Sequence, residues 1–301
     1  MVNLKTSFDD GVSQFRRFCV AKGLSGRTVE TYMYALSRLR LFMESSQSPL
    51  ALPTRSQLRA FAATMLDMGL SKSTVRVRMG SIRAFTSFLV AEGLLADNPM
   101  DGVPIPRVPA HYPRVLSDGE IVRLLRAART GTWYGVRNHA IVATFCDTGL
   151  RLSELIDLDL ADVSIASATI SVRNGKGGKS RYVYMGRALS RSLRRWLEIR
   201  PSRSPHHALF CTRDSMRLDK RNVARIIERI AQRAGFQDRR VHPHLLRHSF
   251  ATLFIRNGGS PFALQRLLGH SDISTTAIYV NLAGTDLEQQ QLSASPLDRL
   301  Q

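Results

Sequence analysis

LLGHSDISTTAIY, residues 267–279, closes one helical run at Gly269, opens another at Ser274, and leaves His270 in the break between them. Working outward, HPHLLRHSFAT at residues 242–252 predicts a helix over 244–256, with His244 and Arg247 three apart and so on one face. Further upstream stand TGLRLSEL at 148–155, with Arg151, and NGKGGK at 174–179, with Lys176. Two arginines, two histidines, a lysine and a tyrosine are thereby strung along one chain in separate segments.

The rest of the chain reads mostly as helix. Helical runs are predicted over 28–43, 56–68 and 74–89; in the last, Val75, Met79, Ile82, Phe85 and Leu89 recur at steps of three and four, one buried stripe. The other faces of that run carry Lys72, Arg76, Arg78 and Arg83. Asn98-Pro99, Gly102, Pro104, Pro106, Pro109 and Pro113 then crowd a short stretch that cannot continue a helix. Residues 98–113 are therefore expected to link a domain at 1–97 to one at 114–301. The second opens with Ser117 and Glu120 spaced as a capping box. Helical patterning returns over 140–146 and 151–160. Two β-rich runs, 169–173 and 180–185, flank the Gly-rich turn as a hairpin. Helices are predicted again over 219–234, 244–256, 261–268 and 274–279, followed by a polar tail bearing Leu282, Leu287, Leu292, Leu297 and Leu300.

Composition narrows the partner. The 301 residues include 43 Lys and Arg against 24 Asp and Glu, a net charge of +19. The first hundred positions carry +6 of it and the remainder +13, so both halves suit the same polyanion. Nucleic acid is the natural one, since cationic side chains displace counterions condensed on phosphates. An inert basic surface kept for solubility is the bland alternative. MVNLKTSFDDG lacks the apolar core of a signal peptide, and no stretch reaches the ~18 apolar residues of a membrane helix. A cytoplasmic protein without membrane contact is expected. Cys19, Cys146 and Cys211 lie far apart with no CxxC pair, which argues for free thiols and against a zinc site.

The motif residues fit attack on a phosphodiester. Such a reaction passes through a crowded phosphorane with extra negative charge, which the forked donors of Arg151 and Arg247 suit. Taken singly, either arginine would be a surface cation. His270 alone would be a polar turn residue, and Tyr279 alone a half-buried helix residue with a satisfied hydroxyl. Together, His270 becomes a phosphate donor and Tyr279 the candidate nucleophile. Its phenol, with an ordinary pKa near 10, would be activated by neighbouring arginines and a histidine. Lys176 on the hairpin can protonate the leaving oxygen. Lys179 and Arg181 share that hairpin and are candidate phosphate binders. The histidines of HLLRH, four apart, invite a zinc reading, but Leu245 stands where a metalloprotease needs Glu. His248 is accordingly expected to face the core or support the site, with no metal and no cofactor called for.

TGLRLSEL, GKGGK, HLLRHSFAT and LLGHSDISTTAIY, in this order, resemble the tyrosine site-specific recombinases of the phage-integrase superfamily, in layout the Xer-like members. The resemblance covers essentially the whole chain. It implies a mainly α fold with a small antiparallel β-sheet: an N-terminal helical, SAM-like core-binding domain and an α+β catalytic domain. It further implies Arg151, Lys176, His244, Arg247, His270 and Tyr279 as the catalytic set, with Glu154 in support. The activity implied is cutting and rejoining duplex DNA through a 3′-phosphotyrosyl link. Strand exchange would proceed through a Holliday junction on paired half-sites. A homo-tetramer, or a hetero-tetramer with a related recombinase, would assemble on two sites, the tail docking on a neighbouring protomer. The alternatives are a type IB topoisomerase and a DNA-binding protein without catalysis.

Overall fold

The computed structural model describes residues 7–45, 51–108, 114–173, 180–201, 207–270 and 272–283. The chain divides into two compact units, Met1–Ala110 and His111–Gln301.

In the first unit, α1 (Phe8–Ala21), α2 (Gly26–Ser45), α3 (Arg55–Asp67) and α4 (Lys72–Ala91) pack about one apolar core. Side-chain caps start three of them: Ser7 for α1, Thr54 with Gln57 in a reciprocal box for α3, and Ser71 for α4. The predicted stripe on α4 is buried, and Phe15 of α1 meets Tyr32, Phe85 and Phe88 at ring separations of 5.4–5.6 Å. Sequence patterning does not signal α1. Asn98 begins the stretch read as a connector, yet Met100 and Val103 are buried in this same core. Residues 98–108 contain no helix or strand, and 109–113 lie outside the described residues.

In the second unit, α5 (Asp118–Ala128) starts with the expected capping box, Ser117 Oγ accepting from Glu120 N–H and the Glu120 carboxylate accepting from Ser117 N–H. α6 (Trp133–Thr148) is buried on most sides and packs against α5, α8 (Arg187–Ile199) and α10 (Pro243–Arg256). The short α7 (Leu152–Asp157) follows, then a 3-10 turn at Leu160–Asp162. The run predicted as one helix over 151–160 is thus broken at Leu158, whose backbone is extended.

A three-stranded antiparallel sheet comes next: β1 (Val163–Ser164), β2 (Thr169–Val172) and β3 (Arg181–Tyr184), in that spatial order. Ile170 pairs with Val183, and these two with Val172 face the core, while Tyr182 and Tyr184 face outward. The turn joining β2 to β3, residues 174–179, lies outside the described residues. α8 is not among the helices expected from sequence; α9 (Lys220–Arg233), α10, α11 (Pro261–Leu268) and α12 (Ser274–Ala283) match their predicted runs within a few residues. α10, α11 and α12 enclose a small satellite core of Phe250, Ala251, Ile255, Leu264, Leu268 and Tyr279. No described helix is long and apolar enough to cross a membrane.

Candidate active site

α6 ends at Gly149, whose backbone is left-handed at φ 61° and whose missing Cβ leaves room for the Phe250 ring. This turn delivers Arg151 to the N-terminus of α7. The Arg151 N–H donates to Glu154 Oε2 at 2.8 Å, its Nη1 to Glu154 Oε1 at 2.8 Å, and its Nη2 to the Gly269 carbonyl at 3.3 Å. Glu154 is 6% exposed. Burial alone would raise its pKa, but hydrogen bonds from Arg181 and Arg151 outweigh it and hold the carboxyl at about 2.

α10 starts with Pro243, and the ring of His242 accepts from Leu245 N–H as a cap. One turn in, Arg247 points to the interior. Its Nη1 donates to the Gly149 carbonyl at 2.7 Å, and its Nη2 to the Leu268 carbonyl at 2.8 Å, with His270 Nε2 at 3.0 Å. Burial and the charge of Arg151 bring its pKa down to about 10, so it stays protonated at neutral pH. Because a guanidinium only donates, His270 Nε2 accepts. The proton then sits on Nδ1, which donates to Thr276 Oγ1 at 3.0 Å. This neutral form agrees with a His270 pKa pushed down to about 4 by burial and by Arg247, Arg151 and Arg181.

Tyr279 lies on α12, where it and Thr276, three residues apart, are the buried positions. It is 3% exposed, and its hydroxyl is 2.8 Å from His248 Nδ1. Burial and the neighbouring cations bring the His248 pKa down to about 4, so a neutral ring lies beside the phenolic hydroxyl. The His270 ring stacks on Tyr279 at 6.4 Å. Arg247 and Arg151 favour the phenolate, as expected, but burial outweighs them and the Tyr279 pKa is raised. His248, expected merely to face the core or support the site, bonds the candidate nucleophile directly.

Arg151, Glu154, Arg247, His248, His270 and Tyr279 therefore meet in one cluster. His244 stands exposed at the start of α10, its ring 6.5 Å from that of His242. Lys176 and Lys179 lie outside the described residues. Arg181 departs from the phosphate-binding expectation. Its Nη1 and Nη2 fork Glu154 at 2.9 and 2.8 Å, and its Nε donates to the Leu267 carbonyl at 2.7 Å. Only 11% of its side chain is exposed, so it faces the interior. In the first unit Lys72 and Arg76 are exposed, Arg78 lies over the Tyr34 ring, and Arg83 donates to the Met100 carbonyl at 3.4 Å. Sequence reasoning missed Thr276, although its three-residue spacing from Tyr279 on a helix was a usable signal. Among the described residues no group of three or more His, Cys, Asp or Glu side chains is placed to hold a metal ion.

Comparison with known proteins identifies the family. Residues 114–285 match the Phage integrase family, and residues 12–93 match the Phage integrase N-terminal SAM-like domain. The Tyrosine recombinase XerC of Alcanivorax borkumensis is 33% identical over 277 residues, 91% of this chain and 89% of that protein. The protein of the same name from Pseudomonas aeruginosa is 36% identical over 235 residues, 77% of this chain and 76% of the relative. Among solved structures, that of XerA recombinase is 28% identical with a TM-score of 0.55, covering 96% of this chain and 99% of the other. The Tn1549 transposon integrase in complex with transposon right end DNA shares the fold: TM-score 0.77 at 19% identity, covering 98% of this chain and 99% of the other. With a family match spanning more than half its length and relatives above 30% identity along most of it, the chain belongs to the phage integrase family of tyrosine recombinases.

Proposed function

We propose that this site-specific recombinase cuts each DNA strand by attack of the Tyr279 oxygen on a backbone phosphorus, the neighbouring His248 taking the phenolic proton. The new O–P bond leaves a 3′-phosphotyrosyl link, and the departing 5′-oxygen takes its proton from Lys176. Arg151 and Arg247 hold the non-bridging oxygens of the phosphorane, His244 adds a donor to it, His270 adds one once its Nε2 leaves Arg247 and takes a proton, and Glu154 orients Arg151. The hydroxyl of a partner strand then reverses the step. Since the covalent link conserves the phosphodiester energy, no ATP is called for.

The observation that carries this reading is the convergence of Arg151, Arg247, His270 and Tyr279 from distant segments on one point. Arg247 Nη1 and Nη2 and Arg151 Nη2 rest on the carbonyls of Gly149, Leu268 and Gly269, uncharged acceptors that a phosphate dianion-like transition state outcompetes, while Arg151 Nη1 stays on Glu154. The first unit, with Lys72, Arg76, Arg78 and Arg83, serves as the core-binding domain, and residues 98–113 connect it to the catalytic domain. Four protomers, identical or shared with a related recombinase, work on two sites with paired half-sites, passing through a Holliday junction in the cytoplasm. The leucine-bearing tail from Leu282 to Leu300 docks on the neighbouring protomer.

The test works on DNA whose recombination site has not been identified. Wild-type and Tyr279→Phe protein are incubated with sheared genomic DNA, covalent adducts are trapped under denaturing conditions, and the attached ends are sequenced. Adducts from wild type alone, clustered at one inverted repeat, are expected. Scattered adducts would indicate a relaxing topoisomerase, and adducts from the phenylalanine variant would overturn the assignment of the nucleophile.

A further inference from the structure

Arg181 ties two separate parts of the site to β3. Its fork holds both oxygens of Glu154, the carboxylate that in turn binds the backbone and side chain of Arg151. Its Nε holds the Leu267 carbonyl at the end of α11. The next two carbonyls along that turn, of Leu268 and Gly269, accept from Arg247 and Arg151, and His270 follows them. At Gly269 the fit is close: the backbone is left-handed at φ 65°, and a Cβ would come within 3.2 Å of Arg181 Nη1.

We propose that Arg181 is a positioning residue for cleavage, fixing Glu154 and the end of α11 to β3 so that Arg151, Arg247 and His270 keep their mutual placement. The inference rests on the reading of the Tyr279 cluster as the reacting centre. A direct DNA contact would have to withdraw donors from a buried carboxylate, leaving that charge without its fork. Lysine cannot substitute, because one ammonium on a flexible stem does not span both Glu154 oxygens and the Leu267 carbonyl in a fixed plane.

The two roles separate on a nicked duplex that traps the adduct and carries the sequence recovered from the adduct ends. Arg181→Gln is expected to bind this duplex with unchanged affinity and salt dependence, yet to form the adduct on the order of 100-fold more slowly, as for displacements of about 1 Å. Arg181→Lys should recover little of the rate. The pH profile gives a readout that loss of a mere strut would not move. Glu154 is faced by Arg151 on its own segment, by Arg181 from β3 and by Arg247 from α10 at 4.0 Å. Removing Arg181 takes away the partner that most lowers its pKa. The Gln variant should therefore show an acid limb at higher pH than wild type, and Arg181→Gln combined with Glu154→Gln should lack it.

Weaker binding with a salt slope reduced by about one phosphate contact would make Arg181 a DNA-binding cation and sink the proposal. So would an unchanged adduct rate, or a fall in rate that only tracks lost folded protein in thermal melts while the pH profile stays put. Tyr279→Phe on the same duplex distinguishes the two levels of inference: adducts from that variant would overturn the reading of the site itself, whatever Arg181 does.

Discussion

At the scale of single residues, burial and neighbouring charges hold three histidines and a glutamate in the charge state opposite to the one they would adopt alone in acid. His139, which bonds Ser192 on α8 at 2.8 Å, His248 and His270 each have a pKa pushed down to about 4, with burial the largest cause. For a histidine that is neutral when folded, the unfolded chain binds protons first as pH falls below 6.5. The stability these three contribute is complete above that value and is lost as pH drops towards about 4. Glu154, at about 2 against an ordinary 4.5, extends the loss further into acid. Melting temperature should therefore decline continuously from about pH 6.5 downward; a flat profile between pH 7 and 4.5 would contradict the burial of these imidazoles. The sequence made Arg151, Arg247, His270 and Tyr279 legible because their side chains are distinctive and their motifs ordered. It could not reveal what they lean on. The acceptors for Arg247 are the carbonyls of Gly149 and Leu268, and a backbone carbonyl has no letter of its own. Arg181 misled for the reason that a basic residue beside a Gly-rich turn looks free, and only the folded chain brings Glu154, 27 positions away, against it.

At the scale of elements, the turn between α6 and α7 does most to align the site. Gly149 combines a left-handed backbone, a close approach to Phe250 and the carbonyl that anchors Arg247. Gly149→Ala would add both backbone strain and overlap with the Phe250 ring. It is expected to cost roughly 1–3 kcal/mol or more of stability, and to slow adduct formation by tilting Arg247. Chemical denaturation and the nicked-duplex assay check the two effects, and a variant as stable and active as wild type would refute the role given to this turn. The helices that sequence analysis recovered had long stripes and clear ends, as α4 does. α1 was hidden by Gly11, a poor helix former that nonetheless sits inside the core, where a Cβ would come within 3.3 Å of Leu89. α8 begins at Gly186 without a side-chain cap, and its many arginines obscure the Leu189, Leu193 and Trp196 face. β1 has only two residues and exists through its pairing with β2, which no local pattern announces.

At the scale of the whole molecule, the net charge of +19 sets how the protein meets its substrate. DNA affinity should fall linearly on a logarithmic salt axis, with a slope near −0.9 for each phosphate neutralised. Substituting Arg76 with Ala should lower the slope by about one without changing the choice of site. Titrations across several salt concentrations test this, and an affinity indifferent to salt would exclude the phosphate contacts proposed for both units. Such a chain dwells on duplex of every sequence. An exposed, ionised tyrosine carried along it would leave nicks wherever it paused. If Tyr279 is the nucleophile proposed above, burial that disfavours its phenolate would keep the searching protein from cutting. On that reading, fidelity would be settled partly before any base is read, by a tyrosine held in its unreactive form during the search.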